Sequence, residues 1–321
     1  METTKLEFKP KSKVREFLGE KLISLSALSA VLAILLIFVF IFKEAVPIFY
    51  DEYVQEEASI SKMVFKQKFA EGREAKFTWQ PNSENPRYSL LPLIIGTLKA
   101  AIIAMLFAVP LGVGAAIYSA EFANRRAREF IKPIIELLAG IPSVVLGFFA
   151  LIVLATVLQN TFDLVFRLNA TNAGIALGLA VIPIVFTIAE DAMTSVPQSL
   201  RDGALALGAN SWQVSMTVVL PAALPGIASG VVLGFGRAIG ETMIVLMASG
   251  NAAIVSTNFT DSIRTISATI ASELAEVVFG DIHYNVLFFL GTVLFIFTFL
   301  TNLGGDMILG RLKERFQGRM S

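Results

Sequence analysis

The chain has 321 residues, 55% of them hydrophobic and 16% charged, with a mean hydropathy of +0.69. Soluble domains carry about 25% charged residues, so this balance points to lipid as part of the solvent. Lys plus Arg and Asp plus Glu both total 26, which removes the basic excess of a nucleic-acid binder; the absence of cysteine and a single histidine exclude disulfides, thiolate metal sites, cysteine nucleophiles and a conventional histidine relay.

A membrane-spanning helix needs about 20 consecutive, mostly apolar residues. Leu22–Phe42 meets that need without a charge, after a tail holding Lys5, Lys9, Lys11, Lys13, Arg15 and Lys21. Its apolar length and long basic lead fit a retained anchor rather than a cleaved signal peptide. Residues 43–89 follow as a polar segment mixing Glu56, Glu57, Lys62, Lys66, Lys68, Glu71 and Arg73. It ends in the turn-forming run Gln80-Pro81-Asn82-Ser83-Glu84-Asn85-Pro86. Two readings are open for it: a small solvated insertion closing a hairpin, or a rim that docks an external partner.

Leu90–Ser119 is the second predicted span, with Lys99 as its one charge, and Ile134–Leu158 the third, with Glu136 at its start. Ala173–Ala189 is the fourth. Ala222–Ser249 is the fifth and carries Arg237 and Glu241; Tyr284–Gly304 is the sixth. His283, in the connection before it, reads as a surface residue. The sequence thus predicts an all-α integral membrane protein of six helices: a tail and anchor over 1–42, an outside insertion over 43–89, a five-helix core over 90–305 and a tail over 306–321.

Basic residues set the orientation. The N-terminal tail, the 120–133 connection with Arg125, Arg126, Arg128 and Lys132, and the C-terminal tail with Arg311, Lys313, Arg315 and Arg319 share one side of six spans. The opposite short loops hold little beyond Arg167 and Arg264. Both termini are therefore expected in the cytoplasm.

The connection 190–221, on that same side, is unusual. Small and apolar residues at helical spacing flank a glycine in Arg201-Asp202-Gly203-Ala204-Leu205-Ala206-Leu207-Gly208-Ala209. They predict two short helices joined at Gly208. Such a piece is too apolar for water and too interrupted to span lipid. It needs a protein surface, supplied either by this chain or by a partner.

An ionised side chain at mid-membrane costs about 2.5–3.5 kcal/mol on insertion scales, so it normally faces protein or water. Arg237 and Glu241, four apart, are expected on one helix face, where they can pair. Two roles are open. The pair fixes packing between subunits, or it forms a pathway site in which the planar Arg237 fork meets an oxyanion. In the second role Glu241 holds the fork and tempers binding so that the anion is released. Thr242 extends this candidate pathway, as does Ser143, whose hydroxyl follows Pro142 and serves either the local backbone or an anion. Thr187, Ser249 and Asn251 are weaker candidates of the same kind. Gly226, Gly230, Gly234 and Ala238 form a small-residue ladder that permits close helix approach or, alternatively, thins a pore wall.

Asp202-Gly203-Ala204, Gly208 and Leu220-Pro221 resemble the cytoplasmic signature of ABC importer permeases, Glu-Ala-Ala, three residues, Gly, then Leu-Pro downstream. Asp and Gly stand where the pattern has Glu and Ala. Gly140-Ile141-Pro142-Ser143-Val144-Val145 and Gly236-Arg237-Ala238-Ile239-Gly240-Glu241-Thr242 are similar to the phosphate-specific permeases of that family. The resemblance covers residues 90–305. It implies the type I ABC importer permease fold in a bacterial plasma membrane, with Asp202, Gly203, Ala204 and Gly208 on a coupling helix that seats in an ATPase subunit. It further implies a second related permease, a pair of ATPase subunits that bind ATP and magnesium, and an external phosphate-binding protein.

No phosphate loop of the Gly-x-x-x-x-Gly-Lys-[Ser/Thr] type occurs, so the chain is not the ATPase and a separate nucleotide-binding subunit is required; no catalytic residue, cofactor or metal is expected in this chain. Sulfate or molybdate is the alternative cargo, because an arginine fork does not choose among oxyanions. A secondary transporter is disfavoured by the lack of repeated halves. An intramembrane serine protease around Ala228-Ser229-Gly230 would need glycine where Ile227 stands.

Overall fold

The computed structural model describes residues 13–67 and 75–317; Lys5, Lys9, Lys11, Lys68, Glu71, Arg73 and Arg319 lie outside the described residues. Among the described residues, six helical segments are long and apolar enough to cross a membrane. The first belongs to α1 (Lys13–Ala45), whose stretch Leu22–Phe42 carries no charge on any side, as a lipid-facing helix requires. It lies along the last helix of the chain, with Phe38 against Phe295 (ring centroids 4.7 Å apart) and Phe40 against Phe288 (5.6 Å).

The segment after the anchor is folded. Three short helices, α2 (Pro47–Tyr50), α3 (Glu52–Ala58) and α4 (Ile60–Val64), precede an antiparallel pair, β1 (Trp79–Gln80) and β2 (Arg87–Tyr88), in which Trp79 faces Tyr88. Asp51 and Ser59 cap α3 and α4 by accepting from the Tyr53 and Lys62 backbone N–H groups.

The second span is α5 (Leu90–Ile117), which ends in a π-helical turn, Tyr118–Phe122. The third departs from expectation. Residues 134–140 belong instead to a separate amphipathic helix, α6 (Arg125–Gly140), and the span is Ser143–Phe162, made of α7 (Ser143–Phe149), a π-helical turn and α8 (Ala155–Phe162). Pro142 separates them: it lacks an N–H and pushes Ile141 out of the helical region, to φ −68° and ψ 124°. The fourth span is α9 (Ala170–Thr194), the most buried of the six. Next come α10 (Gln198–Ala206) and α11 (Ser211–Val214), and a π-helical turn leads into α12 (Leu220–Gly240). The fifth span is therefore Ser211–Gly240, starting earlier and stopping earlier than hydropathy suggests. The chain continues through α13 (Met243–Ala248) and α14 (Ile266–Glu273) to the sixth span, in α15 (Ile282–Gln317).

Three apolar cores stack along the bundle. The middle one packs α5, α7, α9, α12 and α13 around Leu177, Val181 and Val185. Gly226, Gly230 and Gly234 lie against Ala192, Ile188 and Val181 of α9, so the small-residue ladder is a helix-packing seam. A second core joins Ile48, Val54, Met63, Trp79 and Tyr88 of the 43–89 segment to Leu93, Ile266 and Leu287. That segment is thus a cap sharing its core with the bundle. The third core, at the opposite end, gathers Phe186, Met193, Val196, Val214 and Val219.

Candidate functional site

Arg237 and Glu241 are not on one helix face. α12 stops at Gly240, and Glu241 is extended (φ −68°, ψ 135°), followed by Thr242 at φ −113°, ψ −60°. Among the described residues neither side chain has an ion-pair or hydrogen-bond partner, so the expected pair does not form. The break consumes backbone groups instead. Ser267 Oγ donates to the Glu241 carbonyl at 2.7 Å, satisfying an acceptor that a continued helix would have used. Arg237 is exposed in the last turn of α12, where the helix dipole favours a cation.

An open recess of about 450 Å³ adjoins the break, lined by Gly240, Thr242, Ser267, Ile270, Leu274 and Leu294. Of the four pathway candidates only Thr242 lines it. Ser143 opens α7, which Gly147 brings against the Met243 carbonyl and Ile244 of α13. The short helices that follow the two breaks, α7 and α13, therefore meet. Ser249 is fully buried, Asn251 takes a left-handed φ of 52°, and Thr187 is exposed.

The signature segment forms the two predicted helices. α10 ends in a Schellman turn: Gly208 N–H donates to the Leu205 carbonyl (2.9 Å) and Ala209 N–H to that of Ala204 (3.1 Å). Gly208 has φ +87°, a conformation that a side chain disfavours. Asn210 and Gln213 then start α11 with a reciprocal capping box. One face of this unit is covered by the chain itself, since Leu200, Ala204 and Ala209 pack on the third core. The other face is open. Asp202, Gly203 and Gly208 are exposed, and so are Leu205, Trp212 and Leu207, the last at 90%. Asp202 accepts from Gln198 Nε2 at 3.0 Å.

Two carboxylates hold this end together, and neither stood out in the sequence. Glu121, in the turn after α5, accepts from Arg201 Nη1 at 2.6 Å on both oxygens. Glu190, buried near the end of α9, accepts from Ser119 Oγ (3.1 Å) and faces Lys132 Nζ at 3.4 Å and Arg128 Nε at 3.7 Å. Arg128 also donates to the Ser119 and Ala120 carbonyls. The basic cluster is thus split, with Arg125 turned to Glu129 at 2.9 Å on the outer face of α6. A glutamate beside so many cations was the signal available.

At the opposite end Glu273 is a third hub. It accepts from Trp79 Nε1 (3.0 and 3.1 Å) and Arg264 Nη2 (2.6 Å), and His283 Nε2 lies 2.9 Å away. His283 is therefore a buried residue on the first turn of α15, which corrects its reading as a surface loop residue. Burial, reinforced by Glu57, Asp281 and Glu273, pushes the neighbouring Tyr88 phenol well above its ordinary pKa. Lys99 is buried too and donates to the Ser256 and Asn258 carbonyls at 2.7 and 2.9 Å. It clamps the loop that covers the start of α9, where Ala170 and Thr171 donate to the Asp261 and Phe259 carbonyls. Among the described residues no three carboxylate or imidazole side chains gather as metal ligands.

Residues 108–317 match the model of the family described as binding-protein-dependent transport system inner membrane component. The chain is 39% identical over 257 residues to the phosphate transport system permease protein PstC of Mesorhizobium japonicum, covering 74% of this chain and 78% of that one. It is 37% identical over 227 residues to the probable ABC transporter permease protein YqgH of Bacillus subtilis, covering 69% and 72%. Among solved structures, a bacterial alginate ABC transporter in complex with an alginate-bound periplasmic protein shares the fold, at a TM-score of 0.57 and 15% identity over 95% of this chain and 98% of that one. Six apolar spans and a capped helix pair that resembles the importer signature agree with these matches: the chain belongs to the binding-protein-dependent transport system inner membrane components, as a multi-pass ABC importer permease.

Proposed function

We propose that this chain carries inorganic phosphate through the inner membrane together with a second, related permease, driven by a pair of ATPase subunits and supplied by an external phosphate-binding protein. The helix pair α10–α11 supports this role most directly. Its inner face is fixed to the third core while Leu205, Leu207 and Trp212 point outward beside Asp202 and Gly208. An apolar knuckle on a rigid seat fits a groove in an ATPase subunit, and those subunits hold the ATP and its magnesium. The end carrying this knuckle and Arg125–Lys132 is then cytoplasmic, with both termini. A cysteine replacing Ala127 should be modified by an impermeant maleimide only from the cytoplasm; labelling from outside sinks that orientation.

Phosphate as cargo follows from the relatives named for phosphate transport. Arg237 is a cation available to it, exposed and, among the described residues, without an ion-pair or hydrogen-bond partner. Thr242, the broken backbone at Glu241 and the helix begun by Ser143 lie at the two helix breaks, where a passage shared with the second permease would run. The complex reconstituted in liposomes should import labelled phosphate when ATP is present, with excess sulfate or molybdate failing to compete. Import of sulfate or molybdate in place of phosphate would refute the cargo. Arg237→Gln should leave assembly and ATP hydrolysis intact and lower uptake on the order of tenfold, the factor for about 1.4 kcal/mol. Normal uptake in that variant would leave Arg237 a packing residue.

A further inference from the structure

The signature helix α10 is joined to the bundle along the backbone on two sides only: to α9 through residues 195–197 and to α12 through α11. It has no direct backbone link to α5, although α5 is packed closely on α9, with Ile103 and Phe107 seated against Gly174 and Gly178. Among the described residues, the ion pair between α10 and the π-helical turn that ends α5 is made by one guanidinium. Arg201 Nη1 reaches both oxygens of Glu121 at 2.6 Å, and its Nη2 donates to the Met193 carbonyl of α9 at 2.8 Å. The Arg201 side chain is 15% exposed and that of Glu121 7%. Apolar contacts nearby, such as Leu200 and Ala204 on the third core, are non-directional and permit sliding. A buried charge pair does not, because separating it strands both charges.

Glu121 also occupies a particular piece of backbone. It lies in the π-helical turn Tyr118–Phe122, an irregularity of the kind often found at functional sites. Arg128 of α6 caps the Ser119 and Ala120 carbonyls of the same turn at 3.1 and 3.0 Å. Two arginines therefore grip the end of α5 from different sides. Arg128 comes from α6 and belongs with Glu190; Arg201 comes from α10, one residue before Asp202, and turns inward while Asp202 turns out.

We infer that Arg201 and Glu121 form a strut that passes displacement of α10 into α5 and α9 as one body, making them positioning residues for coupling. This rests on the proposed role of α10 as the ATPase contact. It assigns to Arg201 and Glu121 a function distinct from that contact: neither need touch the ATPase. The strut predicts that its loss separates hydrolysis from transport while leaving docking intact.

The test uses the whole complex in liposomes and reads ATP hydrolysed per phosphate imported. Arg201→Gln and Glu121→Gln should assemble with the ATPase at wild-type yield, keep hydrolysing ATP, and raise that ratio about twofold to thirtyfold, the fold-change that corresponds to coupling effects of about 0.5–2 kcal/mol. The reversed pair, Glu121→Arg with Arg201→Glu, should bring the ratio back toward wild type. Arg128→Gln loosens the same turn without touching α10 and should leave the ratio unchanged. An unaltered ratio in both single variants, or an equal rise in Arg128→Gln, overturns the strut. If the single variants fail to assemble, the reversed pair decides, a restored ratio supporting the strut and a raised one overturning it. A wild-type complex that binds no ATPase or imports no phosphate refutes the proposed function instead, and that result is obtained before any variant is compared.

Discussion

The two ends of the bundle use buried carboxylates differently. At the end carrying the 43–89 cap, one carboxylate, Glu273, collects Trp79, Arg264 and His283 from three separate parts of the chain. Through Trp79 this hub closes the cap over α14 and α15. At the other end, Glu121 and Glu190 divide the work, one holding α10 and the other α6. That end is equally well fastened inside, yet it presents Leu205, Leu207 and Trp212 to the outside. The first arrangement is a lock. The second is a mount, rigid beneath and apolar on top, and a mount implies something mounted.

The contrast is sharpest where the lock is broken. Glu273→Ala removes the shared partner of Trp79, Arg264 and His283 and should destabilise the chain by about 3–5 kcal/mol, nearer the lower figure because Glu273 keeps 13% exposure. Thermal unfolding in detergent measures this, and limited proteolysis should show earlier cleavage within the cap. An unchanged melting temperature would mean that the apolar core around Met63 and Trp79 closes the cap without Glu273. On the mount, Gly208→Val forces a β-branched residue into a left-handed conformation, at about 1–2 kcal/mol. The strain is local to the α10–α11 turn, so co-purification of the ATPase should fall more steeply than the melting temperature. Retained capture with intact transport would show that the turn tolerates another shape.

Much of the mount was legible in the sequence and little of the lock was. Helical spacing on both sides of Gly208 announced two short helices, because that pattern is local. Apolar run length announced six spans for the same reason. Hydropathy missed where the third and fifth spans begin and end, since Gly140-Ile141-Pro142 and Gly240-Glu241-Thr242 interrupt helices inside runs that stay apolar on average. The same backbone break cancelled the Arg237–Glu241 pair, a four-residue spacing that has meaning only inside a continuous helix. Glu273 and Trp79 stand 194 residues apart and Arg201 and Glu121 80, so no window of sequence contains both partners. His283 was misplaced on these grounds: its burial depends on Trp79 and Tyr88, which the cap delivers from far upstream.

The smallest effect on stability separates a mount from an incidental apolar surface. Leu207 is 90% exposed, so Leu207→Asp removes almost no buried area and should change the stability of the purified chain by less than about 0.5 kcal/mol. If Leu207 is the knob that an ATPase groove buries, the same change places a carboxylate in a desolvated pocket and should weaken capture by about 2 kcal/mol or more, roughly thirtyfold. Leu207→Met, which keeps the apolar volume, should retain most of that affinity. Equal capture by the Asp variant would show that the exposed residues contribute nothing to docking. The seat held by Arg201 would then be a lock like the one at Glu273, and the two ends of the molecule would not differ in kind.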